Sequence, residues 1–491
     1  MATIKELSEK KPWINWVLFF FTVIIVFLTG LFAASIVERR SEAQLYFQMV
    51  YEIPDWEPRN EVWGQNFPRQ YESYKQTLDT SFASKHAGSV MIDYLEKYPE
   101  LVIMWAGYAF SRDYNQGRGH YYSVTDVHNT LRTVQPQPAT CWTCKSTDVP
   151  RVMNEIGVGE FYKSSWASMG SEIVNPIGCQ DCHDPKTMNL RITRPALAEA
   201  FERRGKNIEH ATHQEMRSLV CAQCHVEYYF KGEDTYLTLP WDNGFSADDM
   251  ETYFDENQVT DWVHGLSRAP MLKAQHPDYE LYKTGVHADR GVSCADCHMP
   301  YQRDGGLKFT NHHLQSPLNN ISGSCQVCHR ESEEKLLQNV FERQAKVSEM
   351  RRITEKTLAK LHLEAKAAWD AGAGENEMQE VLQLIRHAQW RWDWVAAANG
   401  MGFHSPVECL RVLGTSINKA QEARVQLARI FSKYDVMQPV GLPDFSTKEK
   451  AQKIINLDME NLRWQKADFE INILPAWFEK ARIREAGYIM P

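Results

Sequence analysis

Ten of the eleven cysteines fall into five C-x-x-C pairs: Cys141/Cys144, Cys179/Cys182, Cys221/Cys224, Cys294/Cys297 and Cys325/Cys328. Four pairs are followed at once by histidine, giving CQDCH ending at His183, CAQCH at His225, CADCH at His298 and CQVCH at His329. Two thiols with an adjacent imidazole are the arrangement that attaches a c-type haem: the sulfurs add to two vinyl groups and the imidazole becomes an axial iron ligand. C-x-x-C pairs also build zinc sites, and single copies serve as redox disulfides. Four C-x-x-C-H segments in one chain favour haem over both.

The fifth pair reads Cys141-Trp-Thr-Cys144-Lys145, with lysine in the histidine's place. An empty or degenerate site is the plainer alternative. A lysine amine, with a reference pKa near ~10.4, must lose its proton to bind iron, which burial and the metal's charge can enforce. One departure among five sites marks one iron with a different task, and we take it as the catalytic one. The other haems need a second axial ligand, and thirteen of the seventeen histidines remain to supply four. A catalytic iron keeps its sixth position open, as catalytic metals do.

The elements that position these residues divide the chain unevenly. First cysteines of successive pairs are 38, 42, 73 and 31 residues apart, too irregular for a solenoid and too close for independent cores. The pairs therefore share one body. Residues 41–330 read as a haem-binding catalytic region of short helices and loops. Residues 331–491 read as a helical region of the same compact body and a dimer interface. From Glu331 to Asp370 there is no Gly or Pro, and Leu336, Val340, Val347, Met350, Ile353 and Leu361 keep a roughly helical spacing. A second helix is expected over Glu375–Asn399. A third is expected after Ser405-Pro406, with Ser405 as N-cap. No segment reads as a sheet. The fold class is mainly α, with an irregular haem-packed core around the cysteine pairs and long C-terminal helices.

Residues 1–40 are a membrane anchor or signal segment. Trp13 to Ile36 run for 24 positions without charge, preceded by Lys5, Lys10 and Lys11 and followed by Arg39 and Arg40. About 20 apolar residues span a bilayer, and a basic N-terminal flank stays cytoplasmic. The length favours a retained tether with the body in the periplasm. Ala33-Ala34-Ser35 leaves a cleaved signal peptide and a soluble periplasmic protein as the alternative. Net charge is −9, with no basic stripe, which argues against nucleic acid as a partner.

These motifs resemble the pentahaem cytochrome c nitrite reductases: one CWTCK followed by four CxxCH, with RGH ending at His120, CAQCHVEYYF from Cys221 to Phe230, KAQH from Lys273 to His276, NHHLQS from Asn311 to Ser316 and GFHS around His404. The resemblance covers roughly residues 45 to 470. It implies six-electron reduction of nitrite to ammonium, five covalent haems and a calcium ion. It implies Lys145 as proximal ligand of the active-site haem, with Arg132, Tyr228 and His276 meeting nitrite. It implies calcium ligation by Glu227, the Tyr228 carbonyl, the Lys273 carbonyl and the Gln275 side chain. Distal ligands would be His313 for the CQDCH haem, His120 for CAQCH, His404 for CADCH and His287 for CQVCH. It also implies a homodimer through the long C-terminal helices. The electron donor would be a membrane quinol-oxidising multihaem cytochrome or a soluble cytochrome.

The residue chemistry supports these roles. Arginine is a permanent cation for an anion, histidine polarises an N–O bond and moves protons near neutral pH, and tyrosine adds a phenolic donor. Each also has a plainer reading: Arg132 as a haem propionate partner, Tyr228 as packing beside Tyr229 and Phe230, His276 as a loop histidine, Glu227 as a solvated charge. Cys409 reads as a buried unpaired thiol. Two other functions remain open, a multihaem oxidoreductase acting on hydroxylamine or a sulfur oxyanion, and an electron conduit with no chemistry of its own. A conduit would leave CWTCK unexplained.

Overall fold

The computed structural model describes residues 11–45, 49–86, 88–134 and 136–488. The chain divides into two units, Met1–Glu52 and Ile53–Pro491. In the first, helix α1 (Trp13–Leu45) runs through the whole uncharged stretch and beyond it. Its large apolar side chains, Trp16, Phe19, Phe20 and Phe27 among them, are exposed. Its hydroxyls bond inside the helix, Thr22 Oγ1 to the Leu18 carbonyl at 2.8 Å and Thr29 Oγ1 to Ile25 at 2.7 Å. These two threonine hydroxyls then need no water, which is what a bilayer core demands. Lys5, Lys10 and the side chains of Arg39 and Arg40 lie outside the described residues.

The second unit rests on three long helices, α4 (Glu333–Asp370), α5 (Glu375–Ala397) and α6 (Pro406–Lys433), which pack on one another. The Ser332 hydroxyl caps α4 by accepting from the Lys335 N–H at 3.3 Å, and Gly372, at φ +105°, ends it. Leu336, Val340, Val347 and Leu361 are buried as the spacing predicts, whereas Ile353 faces outward at 50% exposure. The α5–α6 turn bends at Gly402, whose φ is +75° and where a Cβ would meet Val347 at 2.9 Å. Only glycine fits both demands. The expected Ser405 cap is not made: its hydroxyl donates instead to the Thr284 carbonyl at 3.2 Å, tying α6 to the haem-binding region.

Short helices fill that region, among them α2 (Glu100–Met104), which lies on α4, and α3 (His213–Ala222). The expectation of no strands needs correction. Among the described residues there are three two-stranded antiparallel ladders: Tyr229–Lys231 with Tyr236–Thr238, Trp262–Val263 with Pro270–Met271, and Tyr301–Asp304 with Leu307–Thr310. Two to four residues are too few for an alternating pattern to register in sequence. Near the C-terminus, α7 (Met459–Asp468) packs on the turn Leu131–Val134, and α8 (Leu474–Ala486) follows it.

Candidate haem sites and catalytic pocket

Each cysteine pair lies on or beside a helical turn: Ala139–Trp142, Cys179–Cys182, the end of α3, Cys294–His298, and the turn after Ile321–Ser324. Residues three apart on a helix share a face, so both thiols point the same way. None of the ten is in a disulfide. The N–H groups of His183, His225 and His329 bond the carbonyl of the first cysteine of their own pair, at 3.0, 2.9 and 2.9 Å. Lys145 differs, donating to Trp142, three residues back, at 2.9 Å.

Nine of the ten cysteines are partly buried, and Cys328 is exposed. Its pair lies on the turn that leads out to α4, where Val327 is exposed and His329 half-exposed. Connecting segments of this kind run over the surface. Cys328 still shares its turn with Cys325, the Cys328 N–H bonding the Cys325 carbonyl at 3.1 Å. The pair therefore keeps the geometry for attaching a haem, but at the rim of the body and not in its interior.

The imidazoles come together in pairs. Ring centres of His120 and His225, His183 and His312, and His298 and His404 are each 6.3 Å apart, and those of His287 and His329 are 6.4 Å apart. Two imidazoles bound to one metal at about 2 Å each have ring centres roughly 6.3 Å apart, so all four pairs fit a bis-histidine iron. The ring opposite His183 is that of His312 and not the expected His313. Neighbouring side chains in an extended segment point to opposite sides. His312 is fixed through its Nδ1 at 2.7 Å from the Thr310 carbonyl, whereas His313 Nδ1 meets Gln315 Nε2 at 3.0 Å. Gly285 lets the His287 and His404 segments touch, since a Cβ there would fall 2.0 Å from the His404 carbonyl.

The sulfurs give the order of the sites. Cys144 and Cys224 lie within electrostatic range of each other, as do Cys221 and Cys294. The CAQCH site therefore lies between CWTCK and CADCH.

Arg132, Tyr228 and His276 gather around CWTCK. Arg132 lies within electrostatic range of Cys141, Tyr228 of both Cys141 and Cys144, and His276 of Lys145. The Arg132 guanidinium lies 4.4 Å over the Phe110 ring, its Nε donates to Thr130 Oγ1 at 3.2 Å, and it makes no ion pair among the described residues. Burial raises the Tyr228 phenol well above its ordinary value, so it stays protonated. Burial pulls His276 far below its ordinary value, which makes it a neutral imidazole.

Glu227 is fully buried, and its carboxyl is pushed well up by burial. One oxygen accepts from the Gln275 N–H at 2.7 Å, while Oε1 has no partner. Gln275 Nε2 stands 3.4 Å from the Lys273 carbonyl, and Lys273 pairs with the buried Asp393 at 2.9 Å. An orphaned buried carboxylate oxygen beside a carbonyl and an amide fits a hard cation. Sequence reasoning missed three residues. His312 had a visible signal, the second histidine of NHH, whereas Asp278 beside His225 and Glu280 beside Glu227 gave none.

A chain that spaces four imidazole pairs for iron, and sets one member of each beside two thiols, is a multihaem c-type cytochrome. Comparison with known proteins places it more closely: the chain belongs to the cytochrome c552 family, which matches residues 59–485. It is similar to the cytochrome c-552 of Porphyromonas gingivalis, 55% identical over 483 residues, covering 96% of this chain and 97% of that protein. The cytochrome c-552 of Aliarcobacter butzleri is 44% identical over 480 residues, covering 94% and 95%. Among solved structures, the catalytic subunit of a cytochrome c nitrite reductase from Desulfovibrio desulfuricans superposes with a TM-score of 0.74 at 30% identity. The match covers 84% of this chain and 91% of that one, which has two calcium sites.

Proposed function

We propose that this chain reduces nitrite to ammonium in six one-electron steps at the haem of CWTCK, with Lys145 as proximal ligand. The observation that carries the reading is the convergence of Arg132, Tyr228 and His276 on the one cysteine pair that lacks histidine. The likeness to a nitrite reductase over nearly its whole length supports it.

The CWTCK haem, when bound, supplies the iron and the electrons. The chain supplies the rest. Arg132, a cation with no carboxylate partner among the described residues, holds the nitrite anion. His276, neutral in its buried position, donates a ring N–H to a nitrite oxygen and polarises the N–O bond. Tyr228 keeps its proton and offers a second donor to the departing oxygens. Eight protons enter and two waters leave as nitrogen falls from +3 to −3. Glu227, the Tyr228 and Lys273 carbonyls and Gln275 would hold a calcium ion, whose charge would fix the segment that carries His276.

In this reading His120, His312, His404 and His287 would be the distal ligands of the CAQCH, CQDCH, CADCH and CQVCH haems. Residues from about 40 onward lie in the periplasm, tethered by α1 near a membrane quinol-oxidising cytochrome that feeds electrons in. The long helices α4 to α6 pair two copies. The test is ammonium yield from nitrite with a reduced dye as donor. One ammonium for six electrons is expected. No ammonium, together with haem spectra unmoved by nitrite or cyanide, would leave an electron conduit.

A further inference from the structure

The four histidines that follow a cysteine pair differ in what holds the ring nitrogen turned away from iron. His183 Nδ1 lies 2.9 Å from the Met188 carbonyl, and His298 Nδ1 lies 2.8 Å from the Gln315 carbonyl. His329 Nδ1 stands 3.9 Å from the Glu331 carboxylate, beyond hydrogen-bond reach and half exposed. His225 is different. Its Nδ1 is 3.1 Å from Oδ2 of Asp278, a buried carboxylate. Asp278 is itself held: Oδ1 accepts the Asn399 backbone N–H at 2.6 Å, and Oδ2 accepts Asn399 Nδ2 at 2.8 Å. Three N–H donors converging on one carboxylate are the surroundings of an ionised group.

A carboxylate bonded to the outer nitrogen of a ligating histidine makes that ring a more basic ligand than a neutral carbonyl does. A more basic ligand stabilises ferric over ferrous iron, and second-shell hydrogen bonding is one of the levers that set haem potential. We infer that Asp278 acts through His225 as a positioning residue that lowers the reduction potential of the CAQCH haem. The site matters because its thiols interact electrostatically with those of CWTCK on one side and CADCH on the other. An electron held at a lower potential there leaves for the catalytic haem with greater driving force. Each step moves one electron, ferric to ferrous, with no bond made or broken and the proton kept on His225 Nδ1. The electron comes from the c-type cytochrome donor, or from dithionite in vitro.

The inference rests on haem attachment and not on nitrite as substrate, so it is tested without nitrite. The experiment is a redox titration of the five-haem protein followed by absorbance and electron paramagnetic resonance. Asp278→Asn keeps shape and removes charge. It is expected to move one transition to more positive potential, leaving four in place, and Asp278→Glu should restore part of the shift. Asn399→Ala relieves Oδ2 of a competing donor, strengthens its pull on His225 and should move the same transition to more negative potential. If Asp278→Asn fails to load five haems, the Asn399→Ala titration decides alone. Wild-type transitions in the loaded variants, or an equal shift of all five, overturn the inference. Loss of ammonium formation in a variant whose titration behaves as expected bears on the proposed function only.

Discussion

Two kinds of histidine pair lie in this molecule, and their geometry separates them. In the haem-binding region four pairs of rings stand 6.3 to 6.4 Å apart, a separation that leaves room for an iron between them. Where α2, α4 and α5 meet, His264 and His362 stack at 3.7 Å with their rings nearly parallel, both fully buried. Every ring nitrogen of that second pair has a protein partner. His264 Nε2 donates to the Ile103 carbonyl at 2.9 Å, and its Nδ1 accepts from Leu266 and Ser267. His362 Nε2 meets Gln389 Oε1 at 2.7 Å, and its Nδ1 meets Ser267 Oγ at 2.9 Å. A ring whose hydrogen bonds are complete is structure, and a ring with one nitrogen left facing its partner is poised for a metal. Composition alone cannot tell the two apart.

The comparison breaks most visibly at the one site with no histidine. Lys145→His should keep five haems, read as intact mass above the polypeptide, and lose most ammonium formation while the other four haems reduce as before. Wild-type turnover would make lysine ligation incidental. Arg132→Ala should raise the apparent KM for nitrite, with kcat/KM falling by roughly 100-fold, as when one preorganised charge-stabilising donor is removed. An unchanged KM would return Arg132 to a propionate role.

The CQDCH site sharpens the distinction between neighbours. His312→Ala should convert one haem in five to a high-spin, cyanide-binding form, and His313→Ala should leave all spectra in place. The opposite result would restore His313 as the ligand.

The stacked pair gives a stability prediction. Burial pulls His264 well below its ordinary pKa and His362 down to about 4. The unfolded chain then binds more protons than the folded one between pH 6.5 and about 4. Stability is therefore full above pH ~6.5 and falls as pH drops through that window, by on the order of 3 kcal/mol for His362. Melting temperatures at pH 7 and pH 5 check this. His362→Leu should lower the pH 7 value, because Gln389 and Ser267 lose partners at about 1–3 kcal/mol each, and should flatten the acid dependence. The smallest effect expected is Ser332→Ala, the α4 cap, at about 1 kcal/mol with all haem spectra unchanged.

The covalent chemistry and the long helices are legible in the residues alone. Thioether attachment demands two thiols and a ligand within five consecutive residues, so the five sites can be read wherever they occur. Helices of 38, 23 and 28 residues declare themselves by their apolar spacing and by the breakers at their ends. The uncharged run of α1 declares itself in the same local way. Only the tertiary structure decided which distant groups meet and how deep each site lies. His312 and His313 are adjacent and chemically identical, and the direction of one extended segment chose between them. Asp278 reaches His225 across 53 positions, and Gln389 reaches His362 across 27, separations that leave no pattern in the chain. The hydrogen bonds that tune a ligand or neutralise a core histidine are long-range, and a residue's type fixes what it can donate but never what stands opposite it.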